Sequence, residues 1–235
     1  LEYLERHELE LHGIFNTHTH GDHIGVNRDL DKRGMLRGLR VVGSATAPTP
    51  IPGLTEAVGE GSSVMLGACE GRVMLTEGHI DGHVSYLFDG VLFCGDTLFA
   101  GGCGYLFDGP PEKMHQSLSR FAELEPDTLV CCAHEYTQDN LRFAWMIDRD
   151  NAVLKQRMRG VWAIRRMGGS TVPSTIAEER ATNPFMRVGE PSIQWAVTQH
   201  FPEVDPRDGA QVLAALREWK ERGDHKAMPD DVLPI

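Results

Sequence analysis

Thr17-His18-Thr19-His20-Gly21-Asp22-His23 places four potential metal ligands within six residues. The string follows the apolar pair Ile14-Phe15 and precedes a predicted helix from Ile24. On a loop at a strand end, His18 and His20 can point to one side. Asp22 and His23, at the helix start, can point to a neighbouring position. Imidazole nitrogen and carboxylate oxygen suit zinc, iron or manganese. One ion does not easily take all four donors from so short a loop, so the spacing favours two divalent metal ions side by side. So dense a cluster is poorly explained as a chance group of core histidines.

Two metals need further ligands, and the ends of other predicted strands supply them. His79, in Glu77-Gly78-His79, follows the apolar run Arg72–Leu75. Asp96, in Gly95-Asp96-Thr97, follows Val91–Cys94, and His134, in Ala133-His134-Glu135, follows Leu129–Cys132. Singly these are weak signals, since a lone histidine after a strand is usually a surface or satisfied core residue and Gly-Asp-Thr is usually a turn. Beside the histidine-rich string they read together, as ligands converging on one edge of a sheet. Gly82-His83 repeats the pattern of Gly78-His79, and only one of the two is expected to be a ligand. His7, His12, His83, His115, His200 and His225 read as ordinary histidines.

The chain has 235 residues, enough for one large domain or two modest ones. Hydrophobic residues make up 41% and charged residues 24%, which permits a packed core and argues against disorder. No apolar run is long enough for a membrane helix, and no basic region followed by an apolar run marks a signal peptide. The first residue is Leu1 rather than Met, so a removed leader is compatible with the sequence. A net charge of −11 argues against nucleic acid as the main partner, because phosphate binding needs a basic surface. Five cysteines without a CxxC pair read as reduced thiols of a cytoplasmic protein.

The first half reads as strands between glycine-rich loops: Ile14–Asn16, Arg40–Gly43, Ser63–Leu66, Arg72–Leu75, Ser85–Phe88, Val91–Cys94 and Leu129–Cys132. Asp89-Gly90 predicts a type I′ hairpin turn. Glu112–Leu124 is a predicted helix between the strands. After His134 the apolar residues recur at helical spacing through Leu141, Trp145, Leu154, Met158 and Trp162. Thr175 with Glu178 predicts a capping box, and helices are expected over Ser192–His200 and Asp208–Glu221. The predicted division is a mixed unit with the candidate metal residues over 1–135 and a helical unit over 136–235.

With these motifs in place the sequence resembles the metallo-β-lactamase superfamily, whose signature is THxHxDH. Within it the chain resembles the glyoxalase II (hydroxyacylglutathione hydrolase) family. Supporting strings are Gly95-Asp96-Thr97-Leu98-Phe99, Gly102-Cys103-Gly104, Phe107-Asp108-Gly109 and Ala133-His134-Glu135-Tyr136-Thr137. Asn183-Pro184-Phe185 and Arg217-Glu218-Trp219-Lys220 extend the likeness into the helical half. The resemblance implies an α/β fold, the αβ/βα sandwich followed by an all-helical C-terminal domain. The strands that family members carry before the first helix are not seen ahead of the helix near Leu1.

The resemblance further implies that His18, His20 and His79 hold one metal and that Asp22, His23 and His134 hold the other. Asp96 would bridge them, with a water or hydroxide as second bridge, and Asp22 would double as the catalytic proton acceptor. Zinc is the first expectation for both ions, with iron or manganese as alternatives. Substrate contacts map to Tyr105, Phe107, Tyr136, Arg217 and Lys220. Two positions depart from the family pattern: Tyr105 stands where a basic residue is usual, and Phe107 where tyrosine is frequent. The implied reaction is hydrolysis of S-(2-hydroxyacyl)glutathione thioesters by a monomer. Competing readings are another enzyme of the same fold (lactonase, phosphodiesterase, β-lactamase or persulfide dioxygenase) and an inactive metal-binding protein.

Overall fold

A computed structural model describes residues 1–235. The chain opens with a short helix α1 (Glu2–Arg6), strand β1 (Gly13–Phe15), helix α2 (Gly21–Lys32), and strands β2 (Arg40–Ser44) and β3 (Glu56–Val58). β1, β2 and β3 form a parallel three-stranded sheet in that order. Strands β4 (Ser63–Leu66), β5 (Cys69–Leu75), β6 (Val84–Phe88) and β7 (Val91–Gly95) then run as an antiparallel meander. A small ribbon follows, β8 (Leu98–Phe99) with β9 (Gly102–Cys103), then α3 (Pro111–Ala122) and β10 (Leu129–Cys132), which lies parallel to β7. The remainder is helical: α4 (Thr137–Ile147), α5 (Ala152–Arg166), α6 (Ile176–Thr182), α7 (Pro191–His200) and α8 (Gly209–Arg222). Only the two-residue strand β11 (Ser174–Thr175) interrupts it, closing the edge of a six-stranded sheet ordered β11-β10-β7-β6-β5-β4.

Strand periodicity builds the layers. Side chains alternate between faces, so neighbouring residues serve different cores. Val41 faces α2, with Leu30, Leu36 and Ile51, while Val42 faces the larger sheet. Val73, Val84, Tyr86 and Phe88 meet Val42 and Val58 between the sheets. Met74, Leu92, Cys94 and Val130 point the other way, onto α3 and the helical half. The result is the expected helix–sheet–sheet–helix sandwich. The largest apolar core joins Met114, Leu118 and Phe121 of α3 to Phe143, Phe185, Leu213 and Trp219, so it runs across residue 135 without a break. No helix is long and apolar enough to cross a membrane.

Local signals explain most element ends. Asp89 and Gly90 both have positive φ (39° and 76°), as a type I′ turn requires, and Phe88 pairs with Val91 across it. Thr175 accepts from the Glu178 amide while Glu178 accepts from the Thr175 amide, the anticipated capping box. β5 begins earlier than the predicted Arg72–Leu75 run, at Cys69. β3, β8, β9 and β11 were not anticipated; at two or three residues they carry too little pattern to stand out.

One buried charge cluster fastens the helical half to the sheet half. Glu179 on α6 is fully buried. One of its carboxylate oxygens accepts from Arg157 on α5 at 2.5 Å. The other accepts from the Gly101 amide at 2.8 Å and from Asn183 Nδ2 at 3.0 Å. Asn183 also donates to the Gly102 carbonyl at 2.9 Å. Removing one member of a buried pair leaves an uncompensated charge, at a cost of about 3–5 kcal/mol. Arg157→Met is therefore expected to lose stability on that scale in urea unfolding. Arg33→Ala, which breaks an exposed pair with Asp29, should lose under about 1 kcal/mol. Equal losses for the two variants would contradict the anchoring role.

Candidate metal centre

The loop between β1 and α2 is fixed before any ligand is considered. His20 is the N-cap of α2 in extended backbone, which puts Asp22 and His23 in the first helical turn. Asn16 and Asn27 exchange two side-chain hydrogen bonds of 3.0 Å, and Asn16 Nδ2 also donates to the His23 carbonyl at 3.1 Å. The Thr17 carbonyl accepts from Val84, tying the loop to the larger sheet. The helix start favours a carboxylate. Slight burial opposes ionisation of Asp22, but amide hydrogen bonding there and the neighbouring His23 and His134 hold its carboxyl below the usual range.

The seven sequence-predicted metal residues come together in three overlapping groups. His18, His20 and His79 form one, His18, His23 and Asp96 a second, and Asp22, His23 and His134 a third. His20 Nδ1 lies 3.1 Å from His18 Nε2 and 2.9 Å from His79 Nε2. His79 Nδ1 faces the Tyr105 carbonyl at 2.8 Å. A carbonyl only accepts, so Nδ1 carries the proton and Nε2 turns a lone pair toward His20. Asp96 lies between the groups: Oδ1 is 3.2 Å from His23 Nε2, and Oδ2 is 3.6 Å from His79 Nε2 and 3.7 Å from His134 Nε2. His134 in turn faces Asp22 at 3.2 Å. His23 Nε2 and Asp96 Oδ1 are buried without a hydrogen-bond partner. Burial, with the surrounding histidines, drives the His18 pKa far down and keeps its ring neutral. Neutral imidazole nitrogens and carboxylates crowded around unmatched atoms are a donor set that a divalent cation satisfies.

His83, read from the sequence as ordinary, has a different task. Its Nε2 accepts the Asp96 amide at 3.2 Å. Its Nδ1 therefore carries the proton, toward the hydroxyls of Thr97 at 3.1 Å and Thr76 at 3.2 Å. Both nitrogens are occupied by protein, and the ring stacks on His18 at 4.8 Å. The sequence signal was the repeated Gly-His, which marks two histidines at the site without saying which faces the metal. Gly104 explains its own place in Gly-Cys-Gly: a Cβ there would lie 2.1 Å from the Asp96 carbonyl and 2.8 Å from His79 Nδ1.

The centre opens into a cleft of about 600 Å³. His20, Asp22, His79, Asp96 and His134 line it, as do all five expected substrate residues. Phe107 sets its ring edge-on to His20 and His79, at 5.2 and 5.3 Å. Tyr136 stacks on His134 at 5.1 Å. Arg217 lies 4.5 Å from the Tyr105 ring centre and donates to the Cys103 carbonyl at 3.1 Å. Lys220 bonds to Asn140 Oδ1. Four polar lining residues escaped the sequence reading: Asp139, Asn140, His225 and Lys226. Asn140 lies one helical turn beyond Tyr136, a spacing that could have flagged it. His225, read as ordinary, meets the cleft only because a 3-10 turn at Asp224–Ala227 packs on α4.

The two Gly-His histidines separate experimentally. His79→Ala should remove metal from the purified protein. His83→Ala should keep metal but release it to a competing chelator roughly 10- to 100-fold more readily, the usual cost of losing an orienting partner. Elemental analysis with chelator competition is the measurement, and the reverse pattern would exchange the two roles.

Comparison with known proteins agrees with this geometry. The metallo-beta-lactamase superfamily model matches residues 1–134, and the hydroxyacylglutathione hydrolase C-terminus model matches residues 135–223. A hydroxyacylglutathione hydrolase of a Synechococcus strain is 46% identical over 94% of this chain and 85% of its own length. One from Methylococcus capsulatus is 47% identical over 94% and 84%. Among solved structures, ETHE1 from Myxococcus xanthus superposes with a TM-score of 0.58 at 24% identity, covering 94% of this chain and 82% of that one, which supports the fold. With adjoining family models matching residues 1–134 and 135–223 and relatives above 40% identity over most of their length, the chain belongs to the hydroxyacylglutathione hydrolase family of the metallo-β-lactamase superfamily.

Proposed function

We propose that this chain hydrolyses S-(2-hydroxyacyl)glutathione thioesters, such as S-D-lactoylglutathione, to a 2-hydroxy acid and free glutathione. The observation that carries this is the placing of Asp96 between two ligand groups, at one wall of a cleft that also holds Arg217 and Lys220. His18, His20 and His79 would hold one divalent ion, Asp22, His23 and His134 a second, with Asp96 shared. Zinc is the first candidate, though an N/O donor set also accepts iron or manganese. When bound, such ions supply an acidified water as nucleophile and polarisation of the thioester carbonyl.

The chain's own residues do the rest. Asp22 is more than half exposed at the cleft and is held ionised, so it can take a proton from the attacking water. Phe107 and Tyr136 flank the ligand histidines and offer apolar ring surface beside the reacting carbonyl. The carrier's carboxylate goes to the basic wall at Arg217 and Lys220, with Tyr105 beside it. Water adds to the acyl carbon and the C–S bond breaks. The thiolate leaves without a protein acid, because a thiol is a far better leaving group than an alcohol.

The test is thiol release from S-D-lactoylglutathione, followed before and after chelation and then after adding back zinc, iron(II) or manganese. Activity should vanish on chelation and return with at least one ion. A protein loaded with metal at both positions that releases no thiol would refute the reading. Asp96→Ala should abolish turnover and lower metal content at both positions, since one carboxylate serves two cations. Two full equivalents of metal in that variant would refute the bridge.

A further inference from the structure

The basic wall of the cleft is not two equivalent cations. Arg217 is committed to the protein: its side chain is nearly buried, it lies against the rings of Tyr105 and Phe185, and it bonds to the Cys103 carbonyl and Glu221. Lys226, exposed on the 3-10 turn, and Lys220 are the other cations lining the cleft, and Lys220 is the one fixed inside it. Its ammonium bonds to Asn140 Oδ1 and faces Asp139 Oδ2 at 3.7 Å. The other oxygen of Asp139 meets Nε2 of His225 at 3.1 Å, and His225 is itself fully buried. Asp139 therefore stands between a braced histidine and the lysine, on a helix that begins just after the metal residue His134.

We propose that Asp139, braced by His225, is a positioning residue that keeps Lys220 an ionised and fixed anchor for the carboxylate of an anionic thiol carrier. This rests on the thioester reading above and adds to it a residue that never touches the reacting atoms. An acid in an anion-binding wall looks counterproductive, but the surroundings of Lys220 make it necessary. Burial first, and then Arg217 on the same helix, push the Lys220 pKa down to about 8. Lys226 on the 3-10 turn acts in the same direction. Cys103 on β9 is a buried thiol pushed up from its usual range, so it stays neutral and offers no counter-charge near neutrality. Glu221 is engaged with Arg217. Among the groups facing the ammonium, Asp139 is the anion that opposes these effects.

The sign follows directly. Lys220 is charged below its pKa, so carboxylate binding is present at lower pH and lost as pH rises through about 8. Without Asp139 that loss moves to lower pH. The experiment compares the metal-loaded wild type with Asp139→Asn and Asp139→Glu across neutral to alkaline pH. Two substrates are used: S-D-lactoylglutathione, and the same thioester with the carrier carboxylates esterified. Asp139→Asn should raise KM for the free acid roughly three- to tenfold near neutrality, about the loss of one charge-assisted contact in a partly wet pocket. The rise of KM with pH should begin earlier, kcat should change less than about twofold, and Asp139→Glu should restore most of the loss. The esterified substrate should not respond. In a Lys220→Met background, Asp139→Asn should have no further effect on KM, since the two act as one unit.

An unchanged KM and pH profile in Asp139→Asn would overturn the proposal while leaving the thioesterase reading intact. An equal KM rise with both substrates would also overturn it, because it would show a general structural effect. Wild-type protein that cleaves neither thioester would instead remove the activity reading on which the proposal rests.

Discussion

The rest of the structure depends on an incomplete set of contacts at one point. His20 Nδ1 stands 3.1 Å from His18 Nε2 and 2.9 Å from His79 Nε2, and its one proton or lone pair cannot make a good hydrogen bond to both. Beside them a buried carboxylate oxygen of Asp96 faces a buried nitrogen of His23, each without a hydrogen-bond partner. Left alone, such groups would separate or hydrate, since buried unpaired polar atoms cost about 1–3 kcal/mol each. They stay together because every ligand sits at the end of a strand or the first turn of a helix. Each is also held from behind: His79 by the Tyr105 carbonyl, Asp96 by His83, and the histidine loop by the Asn16–Asn27 pair. A divalent cation completes contacts the fold leaves open.

That preorganisation reaches into the helical half through one carboxylate. Glu179 holds the Gly101 amide, and Asn183 holds the Gly102 carbonyl, so α6 positions the ribbon that leads to Gly104 and Tyr105. Gly104 then passes so close to Asp96 and His79 that no side chain fits. The Asn183-Pro184-Phe185 motif is thus a structural fastener, with Phe185 in the main core and against Arg217. The helical segment is part of the machinery that shapes the site, and the continuous apolar core across residue 135 is the packing counterpart of that link.

The charge distribution works against the protein's average. The chain carries −11 overall, yet Arg217, Lys220 and Lys226 gather at one wall of the cleft. A local positive field inside a low-dielectric recess can draw in an anion that the outer surface would repel. Tyr105 fits this arrangement in a specific way. Its ring lies against the Arg217 guanidinium, where a second basic side chain would meet like charge instead of a ring face.

The sequence by itself marked the candidate metal residues that the fold brings together, and it determined the class of fold. Both rest on local patterns: candidate ligands one or two residues apart on one loop, three more shortly after strands, period-two apolar alternation and then helical spacing. The Asp89-Gly90 turn and the Thr175/Glu178 cap were legible for the same reason, since each is decided within four residues. Tertiary structure alone decided the rest. Family likeness pointed to His79 over His83, but the physical reason that His79 turns toward the other candidates lies in a carbonyl 26 residues away and, for His83, an amide 13 residues away. That Arg217 is committed and Lys220 open depends on Cys103, Asp139 and His225, brought together across separations of up to 114 residues. Such contacts leave no periodicity or motif in the chain, because they arise only when separate elements pack and their polar atoms must find partners.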